Sequence, residues 1–158
     1  MSANDGDKSA NLVRCNRLTT RKFLDALGGG AFAFQTFDDD AARKSRNLAR
    51  VLYGTIDQHF AALENLNMKG AGVFATINRT DGKGRERDNI VGIRAVFVDL
   101  DGVPLAPVMQ WALAPHIVVE SSPGRYHAYW LVDDTVAVTE FTGLQKRLAK
   151  LFGRSEGA

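Results

Sequence analysis

The run from Ile93 to Leu100, closed by Asp101-Gly102, constrains this chain more than any other stretch. It is dense in apolar residues, has the length of a strand and ends in a turn pair, so it predicts a buried β-strand. Residues two apart in a strand point to one face, which makes the carboxylates of Asp99 and Asp101 converge. Two like charges at the end of an apolar strand are unfavourable unless something neutralises them. A hard divalent cation with oxygen ligands, Mg²⁺ or Mn²⁺, does this well. A simple turn cap would account for Asp101 but would leave Asp99 without a role.

The elements around this strand give an α+β chain, with a mostly antiparallel sheet and flanking helices. Thr19-Thr20 offers a helix N-cap, and Phe23, Leu24 and Leu27 share one helical face before Gly28-Gly29-Gly30. Ala31 to Phe37 reads as a strand, and the charged stretch from Asp38 to Arg50 as a loop or exposed helix start. Thr55 caps a helix that carries Ile56, Phe60, Leu63 and Leu66 and ends near Gly70. Ala71 to Asn78 is strand-like, and residues 79–90 form a polar, glycine-containing loop. After the Asp strand, Leu105 to Leu113 predicts a short helix behind Pro104. His116–Ser121 and Tyr126–Val132 predict two strands joined by a Ser122-Pro123-Gly124-Arg125 turn. Thr139 to Phe152 is an amphipathic helix with Phe141, Leu144, Leu148 and Leu151 inward and Lys146, Arg147 and Lys150 outward.

With 158 residues the chain is long enough for one domain, and its 45% apolar and 24% charged content excludes wholesale disorder. A net charge of +2 and a pI near 8.8 permit a polyanionic partner without demanding one. The single cysteine, Cys15, allows no intrachain disulfide and reads as a small apolar residue, which suits a reducing compartment. No apolar run approaches the ~20 residues of a membrane span, and Met1 to Ala10 lacks the apolar centre of a signal peptide. The expectation is a soluble cytoplasmic protein with no membrane partner, in which residues 1–15 are a flexible lead and 153–158 a tail.

Three further groups bear on chemistry. Alternation puts His127 and Tyr129 on one face of their strand and Tyr126, Ala128 and Trp130 on the other. If that hairpin pairs beside the Asp strand, His127 faces the same cleft as Asp99 and Asp101, where it could ligate metal or donate to phosphate. The loop with Arg79, Lys83, Arg85 and Arg87, and Arg94 just beyond, has forks suited to phosphate oxygens. Asp81, Glu86 and Asp88 would equally make it a solvated, self-compensated loop. Ser121 and Ser122 have no base or oxyanion site near them in sequence and read as turn residues. His59 and His116 lack partners and read as structural or solvated.

Taken together, GAGVFATINRTDGKGR, then NIVGIRAVFVDLDG, then IVVESSPGRYHAYWLV resembles the RepB-like primase domain of plasmid, phage and mobile-element replication proteins. That group belongs to the archaeo-eukaryotic primase superfamily, and the resemblance runs from about Phe23 to Phe152. It implies that Asp99 and Asp101 hold a catalytic Mg²⁺ or Mn²⁺. It implies that His127, with Arg125 and Arg85, contacts nucleotide phosphates, and that Arg79, Lys83 and Arg87 contact nucleic acid. The implied reaction is templated nucleotidyl transfer, in which a hydroxyl attacks the α-phosphate of a nucleoside triphosphate and pyrophosphate leaves. The implied partners are single-stranded DNA, nucleoside triphosphates and a replicative helicase or other replication proteins.

The superfamily's third motif adds a metal-binding aspartate beyond the helix that follows the histidine. The residues after Phe152 contain none, and Asp133 and Asp134 stand too close behind the His127 strand. The expectation is therefore a primase-like domain over 16–152 that is C-terminally incomplete relative to the family. An inactive nucleic-acid- or nucleotide-binding remnant is the alternative. The DxDG strand end also suits a haloacid-dehalogenase-like phosphatase, with Asp99 as nucleophile and Asp101 as acid. A hairpin, however, fills the interval where that parallel fold needs βα units.

Overall fold

The computed structural model describes residues 16–152. The expected lead, with Cys15, and the expected tail lie outside the described residues. Four α-helices and three antiparallel sheets make up the rest, an α+β architecture.

The first sheet has the order β2-β1-β3 (β1, Phe32–Asp38; β2, Arg50–Gly54; β3, Ala71–Ala75). Helix α1 (Arg17–Ala26) precedes it, and α2 (Ile56–Met68) links β2 to β3. The N-cap of α1 is Asn16, whose Oδ1 accepts from Thr19 N at 3.1 Å. Thr19-Thr20 was the expected cap, but both lie inside the first turn. Asn16 is the cap because it directly precedes the helix in extended conformation, from where its Oδ1 reaches the N3 amide that a cap must satisfy. At α2 the expected Thr55 cap is present as a full capping box with Gln58.

The charged stretch from Asp38 to Arg50 is neither plain loop nor helix start. Asp38 accepts from Arg43 and from Ser45 N, a short 3₁₀ turn follows over Arg46–Leu48, and β2 begins at Arg50. Arg50 and Val51 are exposed on the sheet's edge strand, so β2 lacks the apolar alternation that would have revealed it.

A two-stranded ribbon of β4 (Arg79–Thr80) and β5 (Ile90–Gly92) brackets the basic loop. The third sheet has the order β6-β8-β7 (β6, Ala95–Leu100; β7, Ile117–Ser122; β8, Arg125–Leu131). A four-residue α3 (Ala106–Met109) joins β6 to β7, and α4 (Val138–Phe152) follows β8. Pro123 and Gly124 form the β7–β8 turn, with Gly124 at φ +74°. That left-handed conformation strains a residue with a Cβ.

The third sheet is buried on both faces. One face (Ala95, Tyr129, Phe97, Ile117 and Val119) joins a core formed by α1, α2 and the inner side of the first sheet. The opposite face (Val98, Leu100, Ala128 and Trp130) packs on Val108 of α3 and Leu148 and Phe152 of α4. Leu148 is buried as expected, whereas Leu151 is 59% exposed, because Phe152 and not Leu151 reaches the Trp111–Trp130 pair. No helix among the described residues is long and apolar enough to cross a membrane.

The outer edge of β6 carries no further strand among the described residues, and side-chain amides close it. Asn78 Oδ1 accepts from Arg94 N at 2.9 Å and Ala95 N at 3.3 Å. Gln145 Oε1, on α4, accepts from Phe97 N at 2.8 Å. Buried backbone N–H groups that would be costly to leave unpaired are thus satisfied where the sheet stops.

Candidate functional site

Antiparallel pairing of β6 with β8 sets Asp99 opposite His127, and Val119 of β7 flanks His127 on its other side. Alternation then puts Asp99 and His127 on the face that carries Phe97 and Tyr129, at its open end. His127 Nε2 lies 3.6 Å from Asp99 Oδ1, an electrostatic contact longer than a hydrogen bond. Just past the strand, Asp101 pairs with Arg125 from the start of β8, Nε to Oδ1 at 3.1 Å. Four of the residues singled out from the sequence therefore form two adjacent acid–base pairs at one sheet end. All four side chains remain open to solvent, from 37% for His127 to 64% for Asp99.

Tyr129 couples this end to the core. Its ring packs edge-on to Phe23 at 5.4 Å and against Phe97 at 5.7 Å, and its hydroxyl lies 3.4 Å from His127 Nδ1. Burial, and secondarily the negative Asp99, push the Tyr129 hydroxyl up to about 12. It therefore keeps its proton and can donate to Nδ1, the tautomer that leaves Nε2–H directed toward Asp99.

The donor set at this end is two carboxylates, which suits a cation that keeps most of its waters, as Mg²⁺ does. Among the described residues there is no group of three or more His, Cys, Asp or Glu side chains that could hold a metal ion. Asp133 and Asp134 do other work. Thr135 holds the Asp133 carboxyl below the usual range through side-chain and backbone hydrogen bonds, and Asp134 pairs with Arg79 at 3.3 Å.

The basic loop is built, not merely solvated. Asp81 accepts from Lys83 N at 2.8 Å and from Asn89 Nδ2, and the Lys83 amide holds its carboxyl below the usual range. Asn89 Oδ1 in turn accepts from Glu86 N at 3.1 Å. A Cβ at Gly84 would collide with the Asn89 side-chain amide, which would have to leave its bonds to Asp81 and Glu86 to make room. Asp81, expected as a compensating charge, instead anchors the loop backbone.

The arginines separate into three roles. Arg79 is ion-paired to Asp134, and Lys83 is exposed on the loop. Arg85 and Arg87 have no ion pair among the described residues and line a cavity of about 390 Å³ with Phe97, Phe141, Ile90 and Val138. Arg94, grouped with the loop by sequence, is 7% exposed and belongs to the core. Its guanidinium donates to the carbonyls of Ala31, Gly29 and Ile77 and lies 4.1 Å from the Phe32 ring centroid. Desolvation, and next the nearby Arg79, pull its titration below the usual arginine range.

His116 and His59 are structural, as expected: His116 Nδ1 accepts from Leu131 N, and His59 Nε2 contacts the Tyr53 carbonyl. Ser121 hydrogen-bonds the Arg125 carbonyl across the turn, also as expected. Sequence reading missed Tyr129 as a partner of His127, although their i, i+2 spacing carried the signal. It also missed Asn78, for which no local pattern exists. No family model, no curated protein and no solved structure matches this chain.

Proposed function

We propose that residues 16–152 form a nucleotidyltransferase domain of the RepB-like, archaeo-eukaryotic primase type, using nucleoside triphosphates on a single-stranded DNA template. The observation that carries this reading is the β6–β8 register, which sets His127 opposite Asp99 and Arg125 beside Asp101. Asp99 and Asp101 would hold Mg²⁺ or Mn²⁺, which when bound neutralises phosphate charge and favours the attacking hydroxylate. His127 Nε2–H and the Arg125 fork are the donors for phosphate oxygens at the same sheet end. Tyr129 stands on the core side of the imidazole, and donation from its hydroxyl to Nδ1 would leave the proton on Nε2, the nitrogen beside Asp99. All-antiparallel pairing supports this reading over a DxDG phosphatase, whose sheet is parallel.

A second reading, a nucleotide- and DNA-binding domain without turnover, is favoured by the absence of a third metal-ligating side chain among the described residues. Primer synthesis on single-stranded DNA, with nucleoside triphosphates and either cation, separates the two. Synthesis that disappears in the Asp99→Ala, Asp101→Ala variant supports the enzyme. Nucleotide and DNA binding without product under either cation supports the second reading.

A further inference from the structure

The cavity behind the basic loop has a composition that the metal-binding end does not explain. Its walls are Phe97, Phe141, Ile90 and Val138, and its charged members are Arg85 and Arg87. At about 390 Å³ it falls in the lower part of the ~300–1,000 Å³ range of small-molecule sites. Phe97 and Phe141 are half-buried with ring centroids 6.3 Å apart and tilted by 46°, so a flat ring can lie against one of them but not sandwich between both. The two guanidinium groups have no carboxylate partner among the described residues, which is equally true of Arg46, Arg50, Arg94 and Arg147; what sets Arg85 and Arg87 apart is that both line one apolar cavity. The loop that presents them is pinned by Asp81, Asn89 and Gly84, so their placement is built into the backbone.

An apolar, aromatic-walled cavity with two uncompensated arginines suits a flat ring that carries an anionic group. An extended peptide is a poorer fit, because the β6 edge amides beside the cavity are already taken by Gln145 and Asn78. We propose that this cavity is a second site, which takes one nucleotide unit with its base against Phe97 or Phe141 and its phosphate on Arg85 and Arg87. The choice of a nucleotide among flat anions rests on the function proposed above, whereas the choice of a flat anion rests on the cavity alone. The unit comes either from a free nucleotide or from a single-stranded polynucleotide, since both present a base with an adjacent phosphate.

Titration calorimetry of the whole chain in chelator, with no divalent cation, tests the site apart from the metal chemistry. The probes are deoxyadenosine monophosphate, deoxyadenosine, an oligodeoxyadenylate and an aromatic sulfonate. Saturable binding of the monophosphate is expected, and Arg85→Gln with Arg87→Gln should weaken it about tenfold or more. Removing the phosphate from the probe should do the same, and the double variant should not weaken deoxyadenosine further. Val138→Trp, which fills the cavity from the half-buried first residue of α4, should also weaken binding about tenfold. Asp99→Ala with Asp101→Ala should leave the affinity within about twofold, because that end is not part of the cavity. Tighter binding of the oligonucleotide per nucleotide identifies the strand as the source, and equal or weaker binding identifies the free nucleotide. The proposal is overturned if neither nucleotide form saturates, or if binding survives both the arginine and the Val138 changes in folded variants. Binding of the sulfonate alone would overturn the nucleotide assignment. Loss of primer synthesis with this binding intact would count against the proposed function and not against the site.

Discussion

Asn78→Ala is the substitution whose effect can be worked most directly from the geometry. Asn78 is 5% exposed, and its Oδ1 accepts from two successive backbone amides at the entry to β6, Arg94 N at 2.9 Å and Ala95 N at 3.3 Å. Ala95 is fully buried and Arg94 nearly so, which leaves water little access to replace the lost acceptor. A buried amide left unpaired costs about 1–3 kcal/mol, and the longer bond belongs at the low end of that range. The expected loss is about 2–4 kcal/mol, a large part of the ~5–15 kcal/mol that stabilises a domain of ordinary size. That corresponds to a melting temperature lower by roughly 10 °C. Urea unfolding followed by the fluorescence of Trp111 and Trp130, both in the cluster on the far face of the sheet, reads the change. The midpoint should fall with the slope unchanged, because the surface exposed on unfolding is the same. A loss below about 1 kcal/mol would refute the reasoning, since it would mean that the two amides find another acceptor.

Four other outcomes follow from the same geometry. Asp38 is held below the usual carboxylate range chiefly by Arg43, so its contribution is complete above the unfolded value of 3.8 and lost as pH falls further. Asp38→Asn should therefore flatten the acid side of a melting-temperature profile, and an unchanged acid slope would contradict this. Tyr129 keeps its proton to about 12 against an ordinary 10.0, so stability should decline as pH rises between those values, and Tyr129→Phe should remove that decline. Mg²⁺ or Mn²⁺ at about a hundred times its dissociation constant should raise stability by about 2.7 kcal/mol, and Asp99→Ala with Asp101→Ala should abolish the shift. Gly84→Ala should cost about 1–3 kcal/mol by forcing the Asn89 amide aside, and hydrogen exchange at Glu86 N should speed up with it.

What the sequence disclosed depended on whether the signal was local. The Thr55 cap and the Pro123-Gly124 turn are read within a few residues, and each is where local rules put it, whereas β6 ends at Leu100, so Asp101 stands in the turn beyond the strand and pairs with Arg125. The placement of His127 opposite Asp99 needed a further, non-local step, antiparallel pairing of β6 with β8 across an interval that holds α3 and β7. Arg94 was misplaced because the groups that claim it, the carbonyls of Gly29 and Ala31, lie 65 and 63 residues away. Nothing near Arg94 in sequence distinguishes a buried clamp from a surface cation. Strand β2 escaped for the opposite reason: it is an edge strand with exposed Arg50 and Val51, so its pattern does not alternate. The cavity lined by Arg85 and Phe141 joins a loop to a helix across more than fifty positions, and no local pattern anticipates it.

The register of β6 ties the core to the candidate site. Both faces of the strand are buried, with Ala95 and Phe97 in one cluster and Val98 and Leu100 in the other. A slip of one residue would exchange the two sets and drive Asp99 into the Trp130–Leu148 cluster, where a carboxylate has no partner. Asp99 is therefore itself a register marker: it is tolerated only at the open end of the face that ends in His127. Tyr129 reads the same register from β8, since its ring must meet Phe23 and Phe97 for its hydroxyl to reach His127. The apolar contacts that stabilise the third sheet thus also fix the spacing between acid, imidazole and phenol. A substitution that empties the Phe97–Tyr129 contact should disturb the site before it unfolds the domain.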